Sequence, residues 1–370
     1  MGFQIKTKAL RDAIELANNA VSRKTTNPIL SGVKLYIEDN VLHIYTTDLQ
    51  TGFHKWLKVE DAEGPFSTVV EQRVFLEILS SLSSETVRID LDGVVRLAGG
   101  NSNFKLPMMD PEEFPALTFD VSGNAIFLNK NVISKMIDKV MFCALKDSSP
   151  LSRNLNSIYW DFRRSGFLNL VASDSFRLAL SEIEVGEENL LSPFLLSLRS
   201  IEELRLILSS AKTEKIEIIQ SGSQVLFNFE EDDLQLIFNT VEAEFPDYLS
   251  IIPQGFITKI KAKTSDFLYV MKRMSIVSGR EEYTLLNIKD GIITCYASSP
   301  DVGEVREEIK VDQEGENIEI AYSPRFFREA LEKIETVEFE FNISGEEKPT
   351  VLKPFEDNSY MYIIMPKRKA

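Results

Sequence analysis

Two cysteines and two histidines are all the thiol and imidazole side chains that this 370-residue chain holds. Cys143 and Cys295 stand alone in apolar settings, without the pairing or spacing of a zinc or redox motif, and read as buried thiols. His43 and His54 fall in one strand pair, where alternation sets His43 beside Val41 and Tyr45 on one face, and no Ser/His/Asp arrangement can be built from them. There is no GxxxxGKS/T loop and no GxGxxG after a strand; Gly99-Gly100 in RLAGGNSNF reads as a hairpin turn. No apolar run approaches the roughly 18 residues that span a bilayer, and the start, MGFQIKTKALRD, lacks the hydrophobic segment of an export signal, so a cytoplasmic protein is expected. The run Glu230, Glu231, Asp232, Asp233 could hold a hard cation, but between VLFNF and LQLIF it reads better as a charged hairpin tip. No catalytic residue, metal or cofactor is expected.

What is present is repetition. VLHIYTTDLQTGFHKWL (Val41 to Leu57), FLNLVASDSFRLALSEI (Phe167 to Ile183) and IITCYASSPDVGEVREEI (Ile292 to Ile309) lie about 126 residues apart, each an alternating apolar strand, a small polar turn and a second strand. Asp48 and Asp174 share one place in the first two copies, where the third has Ser299-Pro300. Glu113-Phe114-Pro115-Ala116-Leu117 recurs as Glu244-Phe245-Pro246-Asp247-Tyr248-Leu249. Each copy opens with a short strand running into an amphipathic helix, with Leu10, Ile14, Ala17 and Val21, or Ile133, Ile137, Val140 and Met141, at three-to-four spacing. A second helix follows in each, near Glu71, Ser192 and Ser323, and leads into VRIDL, KIEII or VEFEF. The chain, 44% hydrophobic, is too long for one core, and the repeats predict three α+β domains of roughly 120 residues, each with two helices and short antiparallel strands. Their expected limits are 1–122, 123–250 and 251–370.

A formal net charge of −16 argues against nucleic acid at first, because phosphate binding calls for a basic surface. The distribution of charge points the other way. The helical segments 6–24, 69–85, 130–146, 193–215, 266–280 and 323–336 are together net basic while the remainder is strongly acidic. The leading helices contribute Lys6, Lys8, Arg11, Arg23 and Lys24; Lys130, Lys135, Lys139 and Lys146; and Lys272, Arg273 and Arg280. Helices gathered on one side would make an acidic body with a basic lining, which draws DNA to one place and repels it elsewhere.

The threefold two-helix repeat, NPIL at Asn27 to Leu30, TTDL at Thr46 to Leu49, ASDSFRLAL at Ala172 to Leu180, EFPDYLSIIP at Glu244 to Pro253 and the ending YIIMPKRKA closely resemble the bacterial DNA polymerase III β sliding clamps, in order and over the whole chain. The resemblance implies a head-to-tail homodimer of three-domain chains, a six-domain ring with helices lining a hole for duplex DNA, which holds a polymerase on its template without catalysing anything. Helix packing agrees with that stoichiometry. Six helices would circle a hole of only about 8 Å, whereas twelve leave roughly 27 Å. Such a ring meets phosphates loosely and reads no bases, so its attraction falls with salt.

By the same resemblance, Lys24 takes the place of a DNA-contacting arginine, Arg153 with Lys146 falls in a loop that approaches DNA, and Arg11, Lys139, Arg199 and Lys272 are further candidates. A partner groove between the second and third domains would be lined by Ser173, Arg177, Leu178, Pro246, Ile251, Phe326, Ile364, Met365 and Pro366, and would take apolar peptides of the replicative polymerase, clamp-loader subunits and repair proteins. Two departures stand out: Ser175-Phe176 where the family often has Gly-His, and the basic end Lys367-Arg368-Lys369-Ala370, which would favour acidic flanks on a peptide. The subunit interface implied sets Phe104 and Leu106 on one side against Ile276 and Val277 on the other. Two other readings stay open: a repeat-built protein scaffold that never encloses DNA, and a hydrolase using the acidic run with a metal.

Overall fold

The computed structural model describes residues 1–22, 25–64, 66–119, 122–147, 149–186, 191–279 and 283–368. The first third of the chain forms β1 (Gly2–Lys6), α1 (Thr7–Ala17), β2 (Gly32–Glu38), β3 (Val41–Thr47), β4 (Thr51–Lys58), β5 (Phe66–Glu71), α2 (Gln72–Ser81), β6 (Thr86–Leu91), β7 (Val95–Gly99) and β8 (Ser102–Leu106). The middle forms β9 (Asn124–Asn129), α3 (Lys130–Val140), β10 (Ser157–Asp161), β11 (Gly166–Ser173), β12 (Arg177–Gly186), β13 (Phe194–Ser197), α4 (Leu198–Ser210), β14 (Lys215–Ser221), β15 (Gln224–Phe229) and β16 (Leu234–Asn239). The last third forms β17 (Thr258–Lys263), α5 (Thr264–Val277), β18 (Thr284–Lys289), β19 (Ile292–Ser299), β20 (Gly303–Lys310), β21 (Asp312–Gly315), β22 (Ile318–Tyr322), α6 (Pro324–Leu331), β23 (Glu338–Ile343), β24 (Thr350–Pro354) and β25 (Tyr360–Ile364). Among the described residues each third carries two α-helices and antiparallel strands, the α+β architecture expected from the repeats.

These helices are shorter than the segments assigned to them from periodicity. The segment 193–215 begins with β13 and 69–85 with β5, because in every repeat a strand runs straight into its helix and apolar strand residues extend the helical pattern. Glu71 ends β5 and accepts the Val74 backbone N–H at 2.6 Å through Oε2, capping α2, and Ser323 Oγ accepts from Phe326 N at 3.4 Å ahead of Pro324 to start α6.

The chain divides into two compact units. The first, Met1–Ser134 with Arg199–Thr240, contains a four-stranded sheet, β1-β6-β7-β8, and an eight-stranded one, β5-β2-β3-β4-β16-β15-β14-β9. α1 buries Leu10, Ala13, Ile14 and Ala17, lies against α2, and is tied down by Gln72 Nε2 donating to Ile14 O at 3.0 Å and Thr46 Oγ1 donating to Ala17 O at 2.9 Å. The second unit, Lys135–Leu198 with Val241–Ala370, contains a nine-stranded sheet, β13-β10-β11-β12-β25-β24-β23-β17-β21, and a four-stranded one, β20-β19-β18-β22. Its helices α5 and α6 meet over an aromatic core in which Phe267, Phe327 and Phe341 rings lie 5.1 to 6.1 Å apart.

Each long sheet therefore crosses a repeat boundary by main-chain pairing. β4 pairs with β16 (Gly52 opposite Ile237, Thr51 opposite Phe238), and β12 pairs with β25 (Leu178 opposite Ile363, Arg177 opposite Ile364). We call these the first and second junctions. The short sheets end at β8 and β20, which among the described residues pair only with β7 and β19.

Cys143 and Cys295 are buried, as their apolar settings suggest, and burial pushes the Cys295 thiol up to about 12. Glu230 to Asp233 form the hairpin tip between β15 and β16, with Asp233 at φ 51° and Asp232 accepting the Lys212 and Thr213 backbone N–H groups. Gly100 turns the β7–β8 hairpin at φ 59°. No helix among the described residues is long and apolar enough to cross a membrane.

Candidate functional site

The turn between β11 and β12 organises the second junction. Ser173 Oγ donates to Arg177 O at 2.8 Å and accepts from Ser175 N at 3.2 Å, while Asp174 Oδ1 accepts from Phe176 N and Arg177 N, each at 3.1 Å. The small polar residues are needed because their side chains replace the missing main-chain partners of a tight turn. Ser175 takes φ 76°, and Phe176 is thrown outward, 62% exposed.

Arg177, by contrast, is buried. Its Nε lies 2.9 Å from Asp174 Oδ2, Nη1 pairs with Glu329 of α6, and Nη2 donates to Phe142 O at 3.0 Å. The guanidinium lies 4.0 Å from the Phe326 ring centroid and 5.4 Å from that of Phe142. Burial works against its charge, but the neighbouring Tyr362 and Cys143, followed by the hydrogen bonds to Glu329 and Asp174, outweigh that and raise its pKa above the ordinary arginine value.

Beside this polar end lies an apolar floor of Val171, Leu178, Leu180, Leu195, Phe245, Tyr248, Val351 and Ile363, with Leu155, Ile252, Phe256 and Met361 half-exposed above it. The 244–249 loop is fastened there by Tyr248, whose hydroxyl donates to Asp161 Oδ2 at 2.8 Å. Asp161 is held in turn by Arg163 through Nη2 at 2.8 Å, and Tyr159 stacks on Phe245 at 5.0 Å. Sequence reasoning named Tyr248 only as part of the repeated EFP motif and did not single out Tyr159, Asp161 or Arg163, which lie far from that loop in the chain. An open depression of about 840 Å³ extends from Ile252, Phe256, Val351 and Met361 to Lys259, Lys261 and Lys353.

The groove residues expected from sequence are distributed in three ways. Ser173, Arg177 and Phe326 form the polar end; Leu178 and Ile364 are core residues; Pro246, Ile251 and Met365 are exposed, with Pro366 half-exposed. Met365 N donates to Phe176 O at 2.9 Å, so the terminal segment is stitched to the turn. Lys369 and Ala370 lie outside the described residues.

Of the expected DNA-binding cations, Lys24 lies outside the described residues. Lys146, Arg153 and Lys272 are exposed. Others are already engaged. Arg11 pairs with Asp12 at 2.9 Å, and Arg199 pairs with Asp48 at 2.7 Å and Glu203 at 3.2 Å. Lys139 sits half-buried 5.5 Å from the Tyr360 ring centroid, its pKa lowered by burial and by Lys135. Among residues of the expected interface, Leu106 is buried, Phe104 and Val277 are half-buried, and Ile276 is 70% exposed.

Models of the DNA polymerase III beta subunit match the chain in chain order: the N-terminal domain over 1–118, the central domain over 127–247 and the C-terminal domain over 249–368. The DNA polymerase III beta subunit of Thermotoga maritima is 32% identical, with all of both chains covered and a TM-score of 0.90. The chain belongs to the β sliding clamp family. The Bacillus subtilis (strain 168) beta sliding clamp is 28% identical over 387 residues, covering all of both chains, and a solved DNA polymerase sliding clamp from Bacillus subtilis aligns over both full lengths with a TM-score of 0.92 at 26% identity. The three α+β repeats are thus three clamp domains, and the reading as an unrelated scaffold finds no support in either kind of likeness.

Proposed function

We propose that two copies of this chain close head to tail into a ring around duplex DNA and, without catalysing a reaction, tether the replicative polymerase, clamp-loader subunits and repair proteins. The three clamp domains take the limits 1–122, 123–250 and 251–370. The supporting observation is the pattern of strand pairing. β4 meets β16 and β12 meets β25, and the corresponding strands of the remaining set are β20 and β8, each with one side unpaired by its own sheet among the described residues. Pairing β20 of one copy with β8 of another would complete a third junction of the same kind and satisfy edge groups that otherwise invite aggregation. Ile276 and Val277 of α5, which packs on β20, and Phe104 and Leu106 of β8 are the side chains assigned to that seam.

Exposed Lys146, Arg153 and Lys272, together with Lys24, are assigned to the DNA path, where salt-sensitive phosphate attraction suits sliding. The floor beside Arg177 and Phe326, rimmed by Pro246, Ile251, Met365 and Pro366, is assigned to apolar peptides of partners. Sedimentation equilibrium should give twice the chain mass of 42.0 kDa, and the double variant Ile276→Ala, Val277→Ala should shift the protein toward monomer. With a loader and ATP the protein should stay on circular but not on linear DNA; equal retention on both would refute encirclement.

A further inference from the structure

The two junctions place their turns in the same register, so their residues can be matched one to one. Thr47 Oγ1 donates to Thr51 O at 2.8 Å, Leu49 N donates to Thr47 Oγ1 at 2.9 Å, and Asp48 Oδ1 accepts from Gln50 N and Thr51 N. Leu49, at φ 74°, stands where Ser175 stands at φ 76°. Asn239 N donates to Gln50 O at 2.9 Å, as Met365 N donates to Phe176 O at 2.9 Å. Gly52, opposite Ile237, therefore corresponds to Leu178, opposite Ile363.

The first junction lacks the side chain that floors the second, and its own chain occupies the space. A β-carbon built on Gly52 would lie 2.7 Å from Ile237 Cγ2, 3.3 Å from Phe119 Cζ and 3.5 Å from Leu117 Cδ1. The Phe119 ring is further held 5.1 Å from His54 and 6.0 Å from Tyr45, and Leu117 packs against the cluster of Ile29, Leu30, Val69 and Phe114. Both residues follow the Glu113-Phe114-Pro115 loop; after the matching loop of the second junction, Leu249 and Ile251 are exposed instead.

We infer that the first junction is a groove of the same descent as the second, closed in cis by Phe119 seated over Gly52, so that each chain offers partners one open groove rather than two. The glycine makes the hollow and the phenylalanine fills it. Asn239 adds a polar strap, its Nδ2 donating to Leu49 O at 2.8 Å where the second junction presents the thioether of Met365. The ligand that would fit an opened first junction is an apolar peptide with an aromatic side chain, since that is what the cis segment supplies. This choice of ligand and the count of one open groove rest on the peptide-groove reading of the second junction; the closure by Phe119 does not.

The test titrates the full-length protein with a capped peptide of residues 113–119, Glu-Phe-Pro-Ala-Leu-Thr-Phe, and reads stoichiometry by calorimetry. Phe119→Ala should bind one more peptide per chain than the unaltered protein, and the extra site should survive Ile251→Asp, which alters only the second junction. If the unaltered protein binds none and Phe119→Ala binds one, the closure of the first junction by Phe119 stands while the peptide-groove reading of the second junction, and with it the count of one open groove, falls. An unchanged stoichiometry in folded Phe119→Ala overturns the inference. Should that variant not fold, Phe119→Leu, which vacates only the outer part of the ring, should show the same additional site at weaker affinity, and no additional site there overturns it equally.

Discussion

The two junctions share a turn, its hydroxyl and aspartate and a glutamate on the facing helix, and differ in the cation set between those carboxylates and in the side chains that cover the strands. At the second, one buried arginine on the strand reaches Asp174, Glu329 and a carbonyl. At the first, the matching strand residue is the uncharged Thr51, which hydrogen-bonds to Glu203, and the cation arrives from α4 as Arg199, which is exposed and pairs with Asp48 and Glu203. Glu203 and Glu329 occupy matching places on α4 and α6, at the same distance along the chain from Ser197 and Ser323, the serines that precede the two helices. Yet Glu203 Oε2 is buried without a hydrogen-bond partner, and burial pushes its carboxyl up to about 7. A repeated turn fixes where strands meet; the charge that fills the meeting point is chosen separately each time.

Breaking the stronger network should have the largest effect. Arg177→Ala leaves two half-buried carboxylates without their shared buried cation and should cost about 3 kcal/mol in denaturant unfolding. Glu203→Gln sharpens the contrast through pH. Because the folded-state pKa of Glu203 is raised, its stabilising contribution is complete below the ordinary value near 4.5 and is lost as pH rises through about 7. The glutamine variant should therefore gain about 1–3 kcal/mol over the unaltered protein at pH 8 and little at pH 4.5, measured by urea midpoints. Leu49→Gly and Ser175→Gly probe what the junctions share: each relieves a left-handed backbone and should add about 1 kcal/mol, to a similar extent. Phe176→Gln, which copies Gln50 of the first junction, removes an exposed ring and should alter stability by less than about 0.5 kcal/mol while weakening peptide capture at the second junction.

The repeats were legible because their signals are local. Alternation in VLHIYTT and FLNLVAS, three-to-four spacing in the leading helices and the TTD and ASD turns each specify a nearby backbone. The strand-to-helix passages blurred helix starts because Phe194, Leu195 and Leu196 are apolar in either state. What the sequence could not disclose was partnership across distance: that β4 pairs with β16, that Arg199 answers Asp48, or that Phe119 covers Gly52. Several basic residues read as open to phosphate are spent on neighbours, Arg11 on Asp12 and Lys135 on Glu335 among them, since an amphipathic helix pattern counts cations without showing what sits opposite. Ser173, Arg177 and Phe326 came together as a cluster, but no periodicity announces a guanidinium stacked on a ring from another element.

The seam between β4 and β16 carries a consequence for how such a chain can be cut or copied. Five residue pairs, Thr51 to Lys55 against Phe238 to Leu234, join the first third to the middle third through a main-chain ladder, to which Arg199–Asp48 and Asn239–Leu49 add side-chain ties. A fragment severed at residue 122 would leave β4 as a bare, adhesive margin and the middle third without the strand it leans on. Thirds of this molecule are thus not interchangeable beads; deletion of one would have to be accompanied by a new mate for each orphaned ladder.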